Sequence, residues 1–198
     1  MTTTTISHRQ YEYALERVRR EGLADRVTVL CEDYRDLRGR FDRIVSIEMI
    51  EAIGPAQYET YFRRCAELLE PHGTMLVQTI TIADQEFEQH ARSMDFIRRY
   101  IFPGSTLPSV TALCTAMTRA SDLRLCHLED LTRHYVTTLR RWRERFRANL
   151  ERVRALGFDD AFARLWEYYF GYCEGGFQER YTGDVQMLLA RPQAQPEV

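Results

Sequence analysis

The sequence predicts an α/β fold of the doubly wound type, a mainly parallel sheet with helices on its faces. Three observations carry this. Short β-branched runs alternate with amphipathic stretches at helical spacing, in the order strand, helix, strand, strand, helix, strand. A buried run, Ile44 to Ile47 within FDRIVSIEMIEAIG, stops on Glu48, with Glu51 three residues later. In an open α/β sheet, ligands bind beyond the carboxyl ends of strands, where such carboxylates can meet them. The chain has 198 residues and 44 % hydrophobic composition, enough for one domain with a real core.

TTTTI at 2–6 is β-prone through its branching. Ser7 caps a helix from His8 to Glu21, with Tyr11, Ala14, Leu15 and Val18 on one face, and Gly22 ends it. Residues 27–31 form the next strand and EDYRDL (32–37) its polar exit. After the run at 44–47, Gly54 and Pro55 punctuate the chain, and a helix over 56–69 buries Tyr58, Tyr61, Phe62, Cys65, Leu68 and Leu69. Pro71, His72 and Gly73 stop it, and a strand follows over 75–82. Residues 84–110 break the rhythm, since Pro103, Gly104 and Pro108 exclude continuous helix or strand there; a loop of that length is often functional. Next come a helix at 109–121, a strand at 122–131, helices at 135–156 and 159–177, and a strand at 185–191. Residues 1–191 thus read as one domain and 192–198 as a disordered tail.

A net charge of −2 gives no global electrostatic case for nucleic acid. No apolar run approaches the ~20 residues of a membrane span. Five scattered cysteines suit reduced thiols in the cytoplasm, and without CxxC or HExxH no metal site is expected.

Six stretches, in order, resemble the cyclopropane fatty acid synthases, including the mycolic acid cyclopropane synthases. They are TISHRQYEYA (5–14), EDYRDL (32–37), FDRIVSIEMIEAIGPAQYETYF (41–62), QTITI (78–82), YIFPGSTLPS (100–109) and YVTTLRRWRERF (135–146). The resemblance implies a class I, Rossmann-like S-adenosylmethionine-dependent methyltransferase with helical lipid-site insertions. It implies methyl transfer from the sulfonium to the cis double bond of an unsaturated phospholipid acyl chain, then proton loss and closure to a cyclopropane ring. It also implies a bound bicarbonate as base. Carried over residue by residue, the anion's ligands fall on Glu51, Tyr135 and the backbone amide of Ile80. The family's histidine position is Gln78 here, which carries no titratable proton, and no cysteine matches. The donor's ribose and methionine part is expected on Thr5, Ile6, Ser7 and Gln10, its adenine side on Asp33 and Tyr34, and its pocket wall on Ser46 and Ile47. An acyl-chain or small-molecule methyltransferase of the same fold, or an inactive remnant serving as a binding module, is the alternative.

The sequence contains no GxGxG turn and begins within what resembles the family's second strand. The expectation is a chain truncated at its start, with two half-sheets and impaired donor binding, since a backbone–donor approach needs glycine. Arg140, Arg141, Arg145 and Arg147 lie off the apolar stripe Leu139, Trp142, Phe146 and Leu150. They are expected to meet lipid phosphate in a peripheral association with the inner membrane face.

Overall fold

The computed structural model describes residues 1–196. Strands β1 (Thr2–Thr4) and β2 (Thr28–Leu30) pair in parallel across helix α1 (His8–Arg20), which Ser7 caps as expected. A separate four-stranded sheet holds β3 (Phe41–Ile47), β4 (Leu69–Ile82), β5 (Arg124–Asp130) and β6 (Thr182–Ala190), in the spatial order β3–β4–β6–β5. Two half-sheets were expected, and two sheets are present. The mainly parallel expectation needs correction. Only β1/β2 and β3/β4 are parallel, because the last strand inserts antiparallel between β4 and β5.

The break expected at 71–73 is also corrected: these residues lie inside β4, which begins at Leu69. Gly73 is required there by close approach. A Cβ on it would sit 3.0 Å from the Glu70 carbonyl oxygen and 3.1 Å from that of Asp42, both backbone atoms that cannot swing aside. The strand therefore passes β3 where a side chain could not.

Alternate residues of the sheet face opposite sides. Met75, Val77, Met187 and Leu189 pack on helices α2 (Tyr58–Leu68) and, after two short helices described below, α5 (Val110–Ala120). Tyr58, Tyr61 and Phe62 are almost fully buried there, each contributing roughly 1.5–3 kcal/mol by burial. On the opposite face Ile80 packs with Tyr135 and Leu139 of α6 (Thr132–Ala148) and with Phe170 and Phe177 of α8 (Asp160–Gln178).

The single helix expected over 135–156 is two. Asn149 ends α6, its side-chain amide donating to the Arg145 carbonyl at 2.8 Å, and α7 (Leu150–Ala155) starts anew. The segment 84–110 holds two short helices, α3 (Phe87–Arg92) and α4 (Phe96–Tyr100). Of the expected tail, the Ala194 amide closes a turn onto the Arg191 carbonyl at 3.0 Å, and residues 197–198 lie outside the described residues.

Candidate active site

The carboxyl ends of β3 and β4 carry the polar cluster. β3 runs into Glu48, whose φ of +49° is left-handed, a strained setting for a residue with a side chain. The Glu48 amide still bonds the Gln78 carbonyl at 2.8 Å, so the ladder holds the strained residue in place. Glu51 follows in a 3-10 turn (Ile50–Ala52) and is buried. Its Oε1 accepts the Ile80 N–H at 2.6 Å, and its Oε2 is buried without a partner. Burial pushes the Glu51 carboxyl up, partly offset by backbone hydrogen bonds.

Gln78 and Ile80 alternate on the same face of β4, and Gln186 and Asp184 sit opposite them on β6. The Gln186 amide donates to Gln78 Oε1 at 2.8 Å, which fixes the orientation of Gln78. The Gln78 amide then donates to Glu48 Oε1 at 3.1 Å and to Asp184 Oδ2 at 3.3 Å. Tyr135, stacked on Phe177 at 4.8 Å between ring centroids, donates its hydroxyl proton to Glu48. Burial and this acceptor push the Tyr135 phenol above its usual range, so it stays a donor. Glu51, Gln78, Ile80 and Tyr135 are thus gathered at one place.

Two members of the cluster were not among the expected site residues. Glu48 was visible as the carboxylate that stops the strand. Asp184 gave no signal, because its neighbours come from a strand more than 100 positions away in sequence. It is fully buried, with Oδ1 unpartnered, and its carboxyl is pushed up to about 7 by burial, then by Glu48, Glu51 and Asp130. Among the described residues no group of three His, Cys, Asp or Glu could hold a metal ion.

Bicarbonate does not fit these residues. The Ile80 N–H, the Gln78 amide and the Tyr135 hydroxyl, which would bind it, are all given to Glu51, Glu48 and Asp184. Three carboxyl groups in the same cluster disfavour a further anion.

Beside the cluster opens a mainly apolar cavity of about 490 Å³, within the range of small-molecule and lipid sites. Glu48 and Glu51 lie on its wall with Ile80, Phe102, Leu107 and Phe177. The YIFPGSTLPS loop forms one side of it. The Thr106 amide bonds the Glu51 carbonyl at 2.9 Å, and the Leu107 amide donates to His90 Nε2 at 3.2 Å. Burial holds His90 below its usual range, so it remains the acceptor that pins the loop.

The expected donor-binding residues lie after β1 (Thr5, Ile6, Ser7), in α1 (Gln10), after β2 (Asp33, Tyr34) and at the end of β3 (Ser46, Ile47). Ile6, in the bend after β1, and Ile47, at the end of β3, are 76 % and 60 % exposed. The Ser46 hydroxyl is buried without a partner, and Tyr34 packs edge-on against Tyr61 at 5.7 Å. Thr5 donates to Gln10 at 2.7 Å and accepts from the Ser7 amide at 3.1 Å. Both Asp33 oxygens are engaged by Arg35, which holds that carboxyl low.

Of the four arginines expected to be free, Arg140 and Arg147 are paired within the protein. Arg140 pairs with Glu174 at 3.0 Å, and Arg147 donates to Glu167 at 3.0 Å, both on α8. Packing α6 on α8 spends those charges within the protein.

The family model for mycolic acid cyclopropane synthetase matches residues 1–187. The chain belongs to this family. It is 38 % identical over 189 residues to a tuberculostearic acid methyltransferase, UfaA1, of Mycobacterium tuberculosis, covering 96 % of this chain and 44 % of that protein. It is 37 % identical over 183 residues to the cyclopropane-fatty-acyl-phospholipid synthase of Escherichia coli K12, covering 92 % and 44 %. The chain therefore spans under half the length of these two family members. Its fold matches the mycolic acid cyclopropane synthase CmaA1 complexed with SAH and CTAB, with a TM-score of 0.85 at 26 % identity over 96 % of this chain and 69 % of that one.

Proposed function

We propose that this family member transfers a methyl group from S-adenosylmethionine to the cis double bond of an unsaturated phospholipid acyl chain, forming a cyclopropane ring. The observation that carries the reading is the apolar cavity with Glu48 and Glu51 on its wall at the carboxyl ends of β3 and β4. An acyl chain suits such a cavity. An alkene is a weak nucleophile and needs a dry site that holds it in line with the donor. The donor, when bound against Thr5–Ser7, Gln10, Asp33, Tyr34, Ser46 and Ile47, supplies the electrophilic methyl group. Ile80, Leu107 and Phe177 exclude water around the alkene, and Tyr135 and Gln78 orient Glu48. The relative complexed with SAH and a long-chain detergent supports the pairing of donor and acyl sites. A second reading, methylation without ring closure, is favoured by the relative named for tuberculostearic acid.

The test incubates the chain with millimolar donor and vesicles of a monounsaturated phospholipid, then measures acyl mass and ring content. One added methylene unit with a ring is expected, and an open methylene or methyl branch selects the second reading. No mass gain on any acyl substrate would sink both. Glu51→Gln, whose amide oxygen can still accept the Ile80 N–H, is expected to lower turnover by no more than about tenfold with donor affinity nearly unchanged. Equal losses in both would place Glu51 in the donor groove.

The chain meets its lipid at the cavity mouth. No helix among the described residues is long and apolar enough to cross a membrane. Phe102, on the cavity wall, is 54 % exposed. Tyr100 and Tyr168 are 57 % and 56 % exposed beside the lining residues Arg98 and Tyr169 in adjoining segments, and Phe96 packs edge-on against Tyr168 at 4.6 Å. Aromatic side chains with one apolar and one wet end suit a lipid interface. Co-sedimentation with anionic vesicles is expected to fall several-fold in a Tyr100→Ser, Phe102→Ser, Tyr168→Ser triple variant. Arg141→Gln with Arg145→Gln is expected to change it little. The reverse ranking would restore the arginine helix as the docking surface.

A further inference from the structure

We propose that the proton acceptor in this site is the chain's own Glu48, and that no bicarbonate takes part. The inference rests on the methyl-transfer reading and adds the identity of the base. Every donor that would hold an anion is already spent on a side-chain carboxyl of this chain. Ile80 N–H is bound by Glu51 at 2.6 Å. The Gln78 amide is shared between Glu48 and Asp184, at 3.1 and 3.3 Å, and the Tyr135 hydroxyl is directed at Glu48. Entry of bicarbonate would break these bonds and set a new negative charge beside three carboxyl groups.

Glu48 alone of the three has the placement of a base. Glu51 has Oε1 tied to the Ile80 amide and Oε2 fully buried, and Asp184 is fully buried and not on the cavity wall. Glu48 is exposed, and both of its donors sit on Oε1, leaving Oε2 unengaged. Glu48 lies on that wall, and its carboxylate is held by two donors, Tyr135 and Gln78, that are themselves fixed by Phe177 and Gln186. The left-handed backbone at Glu48, φ +49°, is a local strain held at the site by its ladder bond to Gln78.

The step balances without another reactant. The alkene π pair forms the bond to the methyl carbon as the carbon–sulfur bond breaks, its pair remaining on sulfur. A cation is left on the adjacent chain carbon. A C–H bond of the new methyl group then gives its proton to a Glu48 oxygen, and its electron pair closes the ring onto the cation. Glu48 becomes a neutral carboxyl and later releases the proton to water.

Two measurements test this. In carbonate-free buffer at millimolar donor, the wild-type rate is expected to equal the rate with added bicarbonate. Glu48→Gln, which keeps the size of the side chain, is expected to lose roughly 10²-fold or more in turnover, without rescue by bicarbonate. A wild-type rate that falls on removing bicarbonate and returns on adding it would overturn the proposal, as would a Glu48→Gln rate within a few-fold of wild type. Independently of activity, ¹³C-bicarbonate NMR is expected to show no broadening or saturation transfer on adding the protein. Site-specific binding that Tyr135→Phe abolishes would overturn it too. Absence of all methyl transfer, with no bicarbonate binding, would fail the methyltransferase reading while leaving the absence of an anion site standing.

Discussion

Calorimetric titration of the 198-residue chain with S-adenosylmethionine is expected to give a dissociation constant in the millimolar range, about −4 kcal/mol. The expected donor residues are divided between two sheets. Thr5, Ile6 and Ser7 follow β1, Asp33 and Tyr34 follow β2, and Ser46 and Ile47 end β3. The pairings of the described strands join β1 only to β2, and β3 only to β4. Val45 and Ile47 on β3 are 63 % and 60 % exposed, so apolar side chains face water where a groove would need a firm wall. Holding the two sheets at the spacing the donor needs costs ordering entropy that binding must supply. The polar residues are also occupied. Asp33 would have to share its oxygens with Arg35, and Thr5 bonds Gln10. A micromolar constant would show that the two sheets form a complete groove unaided.

What was legible in the sequence was local. Ser7, Ser109 and Asp159 cap helices where their residue types say they should, with side-chain oxygens accepting from Gln10, Ala112 and Phe162. The strand ending on Glu48 was readable from its β-branched run and the turn residues after it. The misread features were those decided by tertiary packing. Pro71–Gly73 punctuate a helix end, yet β4 runs through them as an irregularity: Phe41 pairs with Leu69 and Arg43 with Thr74, so residues 70–73 bulge out of the ladder with β3. Antiparallel insertion of β6 has no local signature at all. The arginines of α6 looked unpartnered because Glu167 and Glu174 lie on another helix. At the site the same rule holds. Glu51, Gln78 and Tyr135 were found through resemblance, whereas Asp184 is recognisable only once β6 lies beside β4.

Asp184 also makes the stability of the chain depend on pH. In the folded protein its carboxyl is pushed up to about 7 from an ordinary 3.8, by burial first and then by Glu48, Glu51 and Asp130. Asp130 is itself paired with Arg180 at 2.7 Å, which leaves Glu48 and Glu51 as the carboxyl groups facing Asp184 with no cationic partner among the described residues, and the Tyr135 phenol nearby. The folded state therefore binds the Asp184 proton more tightly than the unfolded chain does. The contribution is fully present below pH ~4 and is lost as pH rises through ~7. The full difference corresponds to a few kcal/mol, at ~1.4 kcal/mol per pH unit. Asp184→Asn replaces the acid by a neutral group of the same shape, and its side-chain oxygen can still accept the Gln78 amide. The variant is thus expected to match wild type within about 1 kcal/mol at pH 5 and to exceed it at pH 8. At ~2–4 °C per kcal/mol for a chain of this size, the gain in melting temperature at pH 8 should be at least several degrees. The check is a set of melting curves for both proteins from pH 5 to 8. Parallel curves would mean that Asp184 is ionised in the folded protein throughout, and that the buried cluster carries its third negative charge after all.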